Sequence, residues 1–213
     1  MNKTDNIPSP AVRRLSLYLR QLEVFQEKGR LTISSRQLGE SLGLSDAQVR
    51  KDLAYFGQFG RRGIGYGVPD LIRCVRRILG TDKPARVLVV GVGNLGRALI
   101  AFRGFHKHGF EVVAAFDKDP AKIGERVPLS DGVDVQPLRE MPKQIKQHSI
   151  RLGILAVPAS EAQETAEFMV QSGIRGILNF APVTLQIDPP IAVSSVDIGV
   201  HLEQLSFQLA GYI

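Results

Sequence analysis

Arg86-Val87-Leu88-Val89-Val90-Gly91-Val92-Gly93-Asn94-Leu95-Gly96 is the stretch that decides the fold. An apolar run of this length and β-branched content reads as a buried strand. It flows without a break into G-x-G-x-x-G and then into a helix expected to carry Leu95, Leu99 and Phe102. A second strand, Glu111 to Phe116, ends at Asp117, 21 residues after the last glycine. The three glycines alone are a weak signal. A glycine loop that follows a strand, opens a helix and has an acid at the end of the next strand is the full context of a dinucleotide site. Gly91 allows the tight turn, Gly93 lets backbone approach a pyrophosphate, and Gly96 allows close helix–strand packing. The helix N-terminus supplies partial positive charge to the phosphates. The Asp117 carboxylate would accept from the adenosine ribose hydroxyls and repel a 2′-phosphate, although Lys118 beside it works against that preference. The alternative is a purely structural βαβ turn.

The alternation continues toward the C-terminus. Val133–Val135 reads as a short strand, with a helix around Arg139–Gln147. Arg151–Val157 is a strand ending at Pro158, and Ser160 caps a helix running to about Gln171, with Glu161 and Glu164 near its positive end. Gly176–Phe180 is a strand ending in Ala181-Pro182, and Ile191–Val196 leads through Asp197 into a helix over 198–210. Ligands of open parallel sheets lie beyond the carboxyl ends of the strands. That rule picks out Val157, Pro158, Asn179, Phe180, Ala181 and Asp197 as second-half contacts, each of them also an ordinary turn residue. Residues 81–213 hold this sheet and little else, which leaves no room for a substrate domain. None of His106, His108, His148 and His201 is an evident hydride-transfer base. A bound dinucleotide would therefore be a signal rather than a reagent, and no residue is assigned a catalytic role.

Residues 1–80 read differently. Val12, Leu15, Leu19, Leu22 and Phe25 form one apolar stripe on a helix from Pro10 to Lys28. Ser34 stands three residues before Gln37, and Ser45 three before Gln48, the spacing of capping boxes, so short helices start near 35 and 46. Gly43 lies in the turn between them. This is helix-turn-helix patterning, in which the start of the last helix faces base edges. Leu42, Leu44, Val49 and Leu53 are the inward set. The DNA-facing candidates are Ser34, Ser35, Ser45, Gln48, Arg50, Lys51 and Tyr55. A plain three-helix interaction module is the alternative. The Gly-rich run from Phe59 to Val68 reads as a basic hairpin tipped by Arg61, Arg62 and Tyr66, or else as a linker. Leu71, Ile72, Val75, Ile78 and Leu79 make a fourth helix stopped by Gly80, with Cys74 beside its apolar stripe.

Charge divides the chain at the same place. The 213 residues carry a net +6, and residues 1–80 alone carry +7, with 14 Lys or Arg against 7 Asp or Glu. Such asymmetry suits a polyanion held by one part only. No apolar run reaches the roughly 18–20 residues of a membrane span, and the first residues lack a signal-peptide core, so a cytoplasmic protein without membrane contact is expected. The single cysteine excludes an internal disulfide, and no Cys/His spacing suits a metal. The fold class expected is α/β: a winged helix-turn-helix domain over residues 1–80, then a Rossmann-type parallel sheet domain over 81–213.

Several runs together resemble a family. Gln48-Val49-Arg50-Lys51-Asp52-Leu53-Ala54-Tyr55-Phe56-Gly57, Arg62-Gly63-Ile64-Gly65-Tyr66, the Gly91–Gly96 loop with Asp117-Lys118-Asp119-Pro120, and Leu178-Asn179-Phe180-Ala181-Pro182 are similar to the bacterial Rex redox-sensing repressors, in order and over essentially the whole chain. The resemblance implies a homodimer that senses the NADH/NAD+ ratio, binds inverted-repeat operator DNA when NADH is low and releases it when NADH binds. It implies major-groove contacts by Arg50 and Lys51 and a wing of Arg61, Arg62 and Tyr66. It implies that Gly91, Val92, Gly93, Asn94, Leu95, Gly96, Asp117 and Lys118 hold the ADP half of the cofactor, with Val157, Pro158, Asn179, Phe180 and Ala181 approaching from neighbouring strands. It further implies a last helix exchanged between subunits, which brings Asp197 to the partner's cofactor. Ile198 follows that Asp where the family has an aromatic, and Phe102 stands where some relatives have tyrosine. An NAD(P)-dependent reductase with a basic N-terminal appendage is the competing reading.

Overall fold

The computed structural model describes residues 7–60, 64–127 and 132–211. The chain divides between residues 83 and 84 into two compact units. In the first, α1 (Ser9–Glu27), α2 (Ser35–Glu40), α3 (Asp46–Ala54) and α4 (Val68–Leu79) surround one core, with a two-stranded ribbon of β1 (Thr32–Ile33) and β2 (Tyr66–Gly67) at its side. The buried face of α1 is Ala11, Leu15, Tyr18, Leu19 and Leu22, whereas Val12 is exposed. The expected stripe is thus rotated toward Tyr18, whose hydroxyl has a buried partner described below. These residues pack against Leu38, Val49, Leu53, Leu71, Ile72 and Val75.

Both serine caps form. Ser34 Oγ accepts from the Gln37 amide, and Gln37 Oε1 accepts from the Ser34 amide, completing the box. Ser45 Oγ accepts from the Gln48 amide, but the Gln48 side chain turns away to Asp52, so the second box is half made. The β2 strand pairs antiparallel with β1, Ile33 opposite Tyr66. Arg61 and Arg62, the expected wing tip, lie outside the described residues. Tyr66 is not a tip residue: it is buried in the core of this unit, because pairing with Ile33 turns its ring inward. This corrects the expectation that it decorates the surface of a hairpin.

The second unit is a seven-stranded sheet in the order β5-β6-β4-β3-β7-β8-β9, from β3 (Ala85–Val90), β4 (Phe110–Asp117), β5 (Arg126–Val127), β6 (Val133–Pro137), β7 (Leu152–Leu155), β8 (Gly176–Asn179) and β9 (Ala192–Ser195). All neighbours are parallel except the β5–β6 pair. The β5 strand was not expected; at two residues it is too short for a periodic signal. One face of the sheet is covered by α7 (Met141–His148) and α8 (Ala159–Ser172) over Leu88, Val90, Phe116, Leu155 and Ile177. The other carries α5 (Asn94–Ile100) and α6 (Gly104–Lys107) over Val87, Val89 and Ile154. The helix after the glycine loop is shorter than expected. It buries Gly96 and Ile100, one turn apart, and leaves Leu95 and Phe102 exposed. The last helix, α9 (Ile198–Ala210), buries nothing.

Candidate functional site

The chain leaves β3 toward β4 on one side and returns from β6 to β7 on the other. The carboxyl end of β3 is therefore the switch point of the sheet, where a crevice must open. The glycine loop fills that point. Gly91 has φ +91, a left-handed conformation, and a Cβ there would lie 2.4 Å from the Ala156 carbonyl oxygen. A Cβ on Gly96 would lie 1.9 Å from the Gly91 carbonyl oxygen, so only glycine lets α5 start this close to the strand. Gly93 differs: nothing lies within 4 Å of its Cβ position. Sterics inside the chain do not require glycine there. Open space above an unencumbered backbone is what an approaching pyrophosphate needs, and the site fits a dinucleotide on that ground.

Asp117 closes the loop from beside it. Its carboxylate accepts from the Val92 amide at 2.7 Å, the Asp119 amide at 2.9 Å and Lys122 Nζ at 3.1 Å. Burial pushes this carboxyl up, but the two amides and the ammonium outweigh it and hold it below its ordinary range. The group is thus a fixed anion at the edge of the loop. Val157 packs beside Gly91, and Pro158 is the N-cap of α8 with no side-chain cap bond, which corrects the expectation that Ser160 caps this helix: Ser160 lies one residue inside it. Lys118 points to Glu161 on the first turn of α8, Nζ to Oε1 2.6 Å. Glu161 was expected near the positive end of this helix and Lys122 was not singled out; no spacing rule links either to Asp117, and only the fold brings them there.

Asn179 stands at the carboxyl end of β8, the place expected, with its side chain turned to internal partners. It is fully buried, its Nδ2 donates to the carbonyls of Ala181 and Val183 and to Ser195 Oγ, and its Oδ1 accepts from the Ala181 amide. Its amide is committed to the turn after β8, so it shapes the Phe180-Ala181 segment rather than offering hydrogen bonds to a ligand. Asp197 caps α9 through the Val200 amide at 3.1 Å. All these residues stand at carboxyl ends of the parallel strands.

In the first unit α3 turns Ala47, Arg50, Lys51 and Ala54 outward, with Tyr55 exposed just beyond its end. Arg50 Nη1 lies 2.5 Å from Asp46 Oδ2 and 3.3 Å from Ser35 Oγ, which holds the guanidinium between the starts of α2 and α3. Arg50 in turn draws the Asp46 carboxyl below its ordinary range. Ser34 is half-buried and Ser45 exposed, and their hydroxyls cap α2 and α3. Gln48 reaches inward instead. Its Nε2 donates to Asp52, a fully buried carboxylate that also takes Arg14 Nε at 2.5 Å, Arg14 Nη2 at 2.8 Å and the Tyr18 hydroxyl at 2.7 Å. Burial raises the Asp52 carboxyl, and the hydrogen bonds from Arg14, Tyr18 and Gln48 more than reverse it. This hub ties α3 to α1. Its signal was in the sequence: Asp52 shares the inward face with Val49 and Leu53, where a lone carboxylate needs buried donors.

Comparison with known proteins covers both units. Residues 82–183 match the model of a CoA binding domain, and residues 6–54 that of a putative DNA-binding protein N-terminus. The chain is 47% identical over 208 residues to the redox-sensing transcriptional repressor Rex of Desulforamulus reducens, covering 98% of each. It is 45% identical to that of Pelotomaculum thermopropionicum, covering 97% of this chain and 96% of the relative. Among solved structures, RSP in complex with beta-NAD+ and operator DNA superposes with a TM-score of 0.90 at 34% identity, covering 97% of this chain and 94% of that one. RSP in complex with beta-NADH superposes at 0.83 with 32% identity, covering 97% and 96%.

Proposed function

This chain belongs to the Rex family of redox-sensing transcriptional repressors, and from that premise we propose how its residues divide the work. It is a regulator rather than an enzyme, and the reductase reading is not retained. Residues 1–80 bind inverted-repeat operator DNA when NADH is low, and residues 81–213 bind NADH and release the DNA. The observation that carries this reading is the full-length likeness to a repressor structure holding both beta-NAD+ and operator DNA.

On the DNA side Arg50 and Lys51 stand outward on α3 for bases or phosphates, with Ser34, Ser35, Ser45 and Tyr55 around them. Gln48 acts mainly through Asp52. Arg61 and Arg62, outside the described residues, are proposed to add two cationic contacts to the DNA. On the nucleotide side the amides of Gly91 to Gly96 receive the pyrophosphate, Asp117 the adenosine ribose, and Val157, Pro158, Phe180 and Ala181 line the remainder. The bound dinucleotide supplies the redox signal, since NAD+ and NADH differ by one positive charge and by ring planarity at the nicotinamide. A ligand shifts an equilibrium only by its differential affinity for the two states, so NADH must favour a dimer whose two recognition helices no longer match two half-sites.

The dimer itself follows from α9. Every described residue of this helix is exposed, including Ile198, Leu202, Leu205 and Phe207, and such a helix is not stable in water without a partner. The sheet face beyond α5 and α6 carries an apolar groove of about 300 Å³ lined by Val87, Phe105, Phe110, Leu152, Leu178 and Val193. Exchange of α9 between two copies covers both surfaces and carries Asp197 and Ile198 toward the partner. No described helix is long and apolar enough to cross a membrane. Binding of operator DNA would place the protein's work in the cytoplasm.

A gel shift on an inverted-repeat operator, titrated with NADH, NAD+ and NADPH, tests the reading. NADH should release the DNA at far lower concentration than NAD+, and binding should weaken steeply with salt. Retention of the shift at saturating NADH would refute it.

A further inference from the structure

We propose that Glu161 sets the dinucleotide preference of the site: by holding the Lys118 ammonium it denies a cationic partner to a 2′-phosphate, so that NADH is accepted and NADPH refused. The inference rests on the reading of the Gly91–Gly96 loop and Asp117 as the dinucleotide site, and it extends that reading to a residue on another element.

The argument starts from position. Lys118 directly follows Asp117, the residue placed at the adenosine ribose. A free lysine there would be the natural partner of a 2′-phosphate and would offset the repulsion by Asp117. The structure takes that lysine away. Its Nζ lies 2.6 Å from Glu161 Oε1, across a cleft whose walls also bring Glu164 and Thr165 from α8 and Leu138 from the turn after β6. Glu161 stands in the first turn of α8, where the helix dipole favours a carboxylate. The ammonium of Lys118 is itself stabilised in its charged form, first by Glu161 and then by the nearby Asp117 and Glu164 charges.

The other lysine beside the ribose position is equally engaged. Lys122 Nζ lies 3.1 Å from Asp117 and 3.7 Å from Asp119. Two lysines thus face four carboxylates, Asp117, Asp119, Glu161 and Glu164, and the edge of the site is net negative. A phosphate monoester brings about 1.5 to 2 further negative charges, and Lys118 can turn to it only by leaving Glu161 unpaired beside it. The side chain of Lys118 is 67% exposed and that of Glu161 30%, so the pair contributes little to stability, and its effect is a screened, salt-dependent one on selectivity.

The test measures NADH and NADPH affinity of the full chain by nicotinamide fluorescence for the unmodified protein, Glu161→Gln, and the double variant Lys118→Gln/Glu161→Gln. Glu161→Gln should bind NADPH roughly tenfold more tightly, the scale of one solvent-weakened charged hydrogen bond, with NADH affinity within about twofold. The gain should vanish in the double variant and shrink as salt is raised. Retained NADH binding shows in the same titration that the variant is folded. NADPH affinity unchanged in Glu161→Gln, or NADH and NADPH affinities rising together, overturns the inference while the dinucleotide site stands. Failure of the unmodified chain to bind NADH overturns both.

Discussion

Replacing Asp52 by alanine should cost the N-terminal unit about 3 kcal/mol, and the figure can be built from the geometry. The carboxylate is fully buried and takes four hydrogen bonds from three side chains. Without it the Tyr18 hydroxyl, also fully buried, is orphaned, which costs about 1–3 kcal/mol. The Arg14 guanidinium loses its counter-charge. Breaking a buried ion pair costs about 3–5 kcal/mol, but Arg14 keeps a quarter of its side chain in water and Gln48 can turn outward, so the lower end applies. Tyr18→Phe removes one donor and leaves the ion pair, for about 1.5 kcal/mol. Urea unfolding followed by tyrosine fluorescence isolates this unit, because three of the four tyrosines, Tyr18, Tyr55 and Tyr66, lie in it and the chain has no tryptophan. The pH dependence has a definite sign. The folded Asp52 carboxyl lies below its ordinary range, so the unfolded chain binds more protons in acid. Its stabilisation is complete above the unfolded value near 3.9 and is lost as pH falls through the folded one. The gap between the unmodified chain and Asp52→Asn should therefore close in acid. A loss below about 1 kcal/mol for Asp52→Ala, or one no larger than that of Tyr18→Phe, would refute the account of the hub.

Two glycines of the loop should separate stability from binding. Gly96→Ala places a methyl 1.9 Å from a carbonyl oxygen and should destabilise the sheet unit by at least about 3 kcal/mol in thermal unfolding. Gly93→Ala meets nothing within 4 Å, so it should leave unfolding nearly unchanged while weakening NADH binding by fluorescence titration. On α9, Leu205→Asp with Phe207→Asp should convert a dimer to a monomer in analytical ultracentrifugation; the two residues are 55% and 80% exposed within one chain, so a dimer that persists would remove α9 from the interface.

What could be read from the sequence is what depends on neighbours along the chain. The strand, glycine loop and acid from Arg86 to Asp117 form one continuous βαβ unit, so spacing alone set the turn, the helix start and the place of the Asp117 carboxylate beside the loop. The serine caps at Ser34 and Ser45, with the inward Val49 and Leu53, are equally local, and so is the basic excess of residues 1–80. What escaped is set by groups far apart in sequence. Tyr66 turned inward because β2 pairs with β1, more than thirty residues earlier. Asn179 closes its own turn, since a buried amide satisfies every polar atom with whatever carbonyls the fold supplies. Gln48 left its capping role because Asp52 had been buried beside Arg14 and Tyr18 of α1. Lys118 and Glu161 lie on different elements and meet only when α8 packs at the end of β4. The sequence by itself determined that this protein joins a reader of DNA to a reader of a dinucleotide, because both motifs are short-range patterns of caps, glycines and alternation. Only the tertiary structure decided which charges remain free to act, because a charge is neutralised by whatever lies within a few ångströms in space, and distance along the chain does not report that.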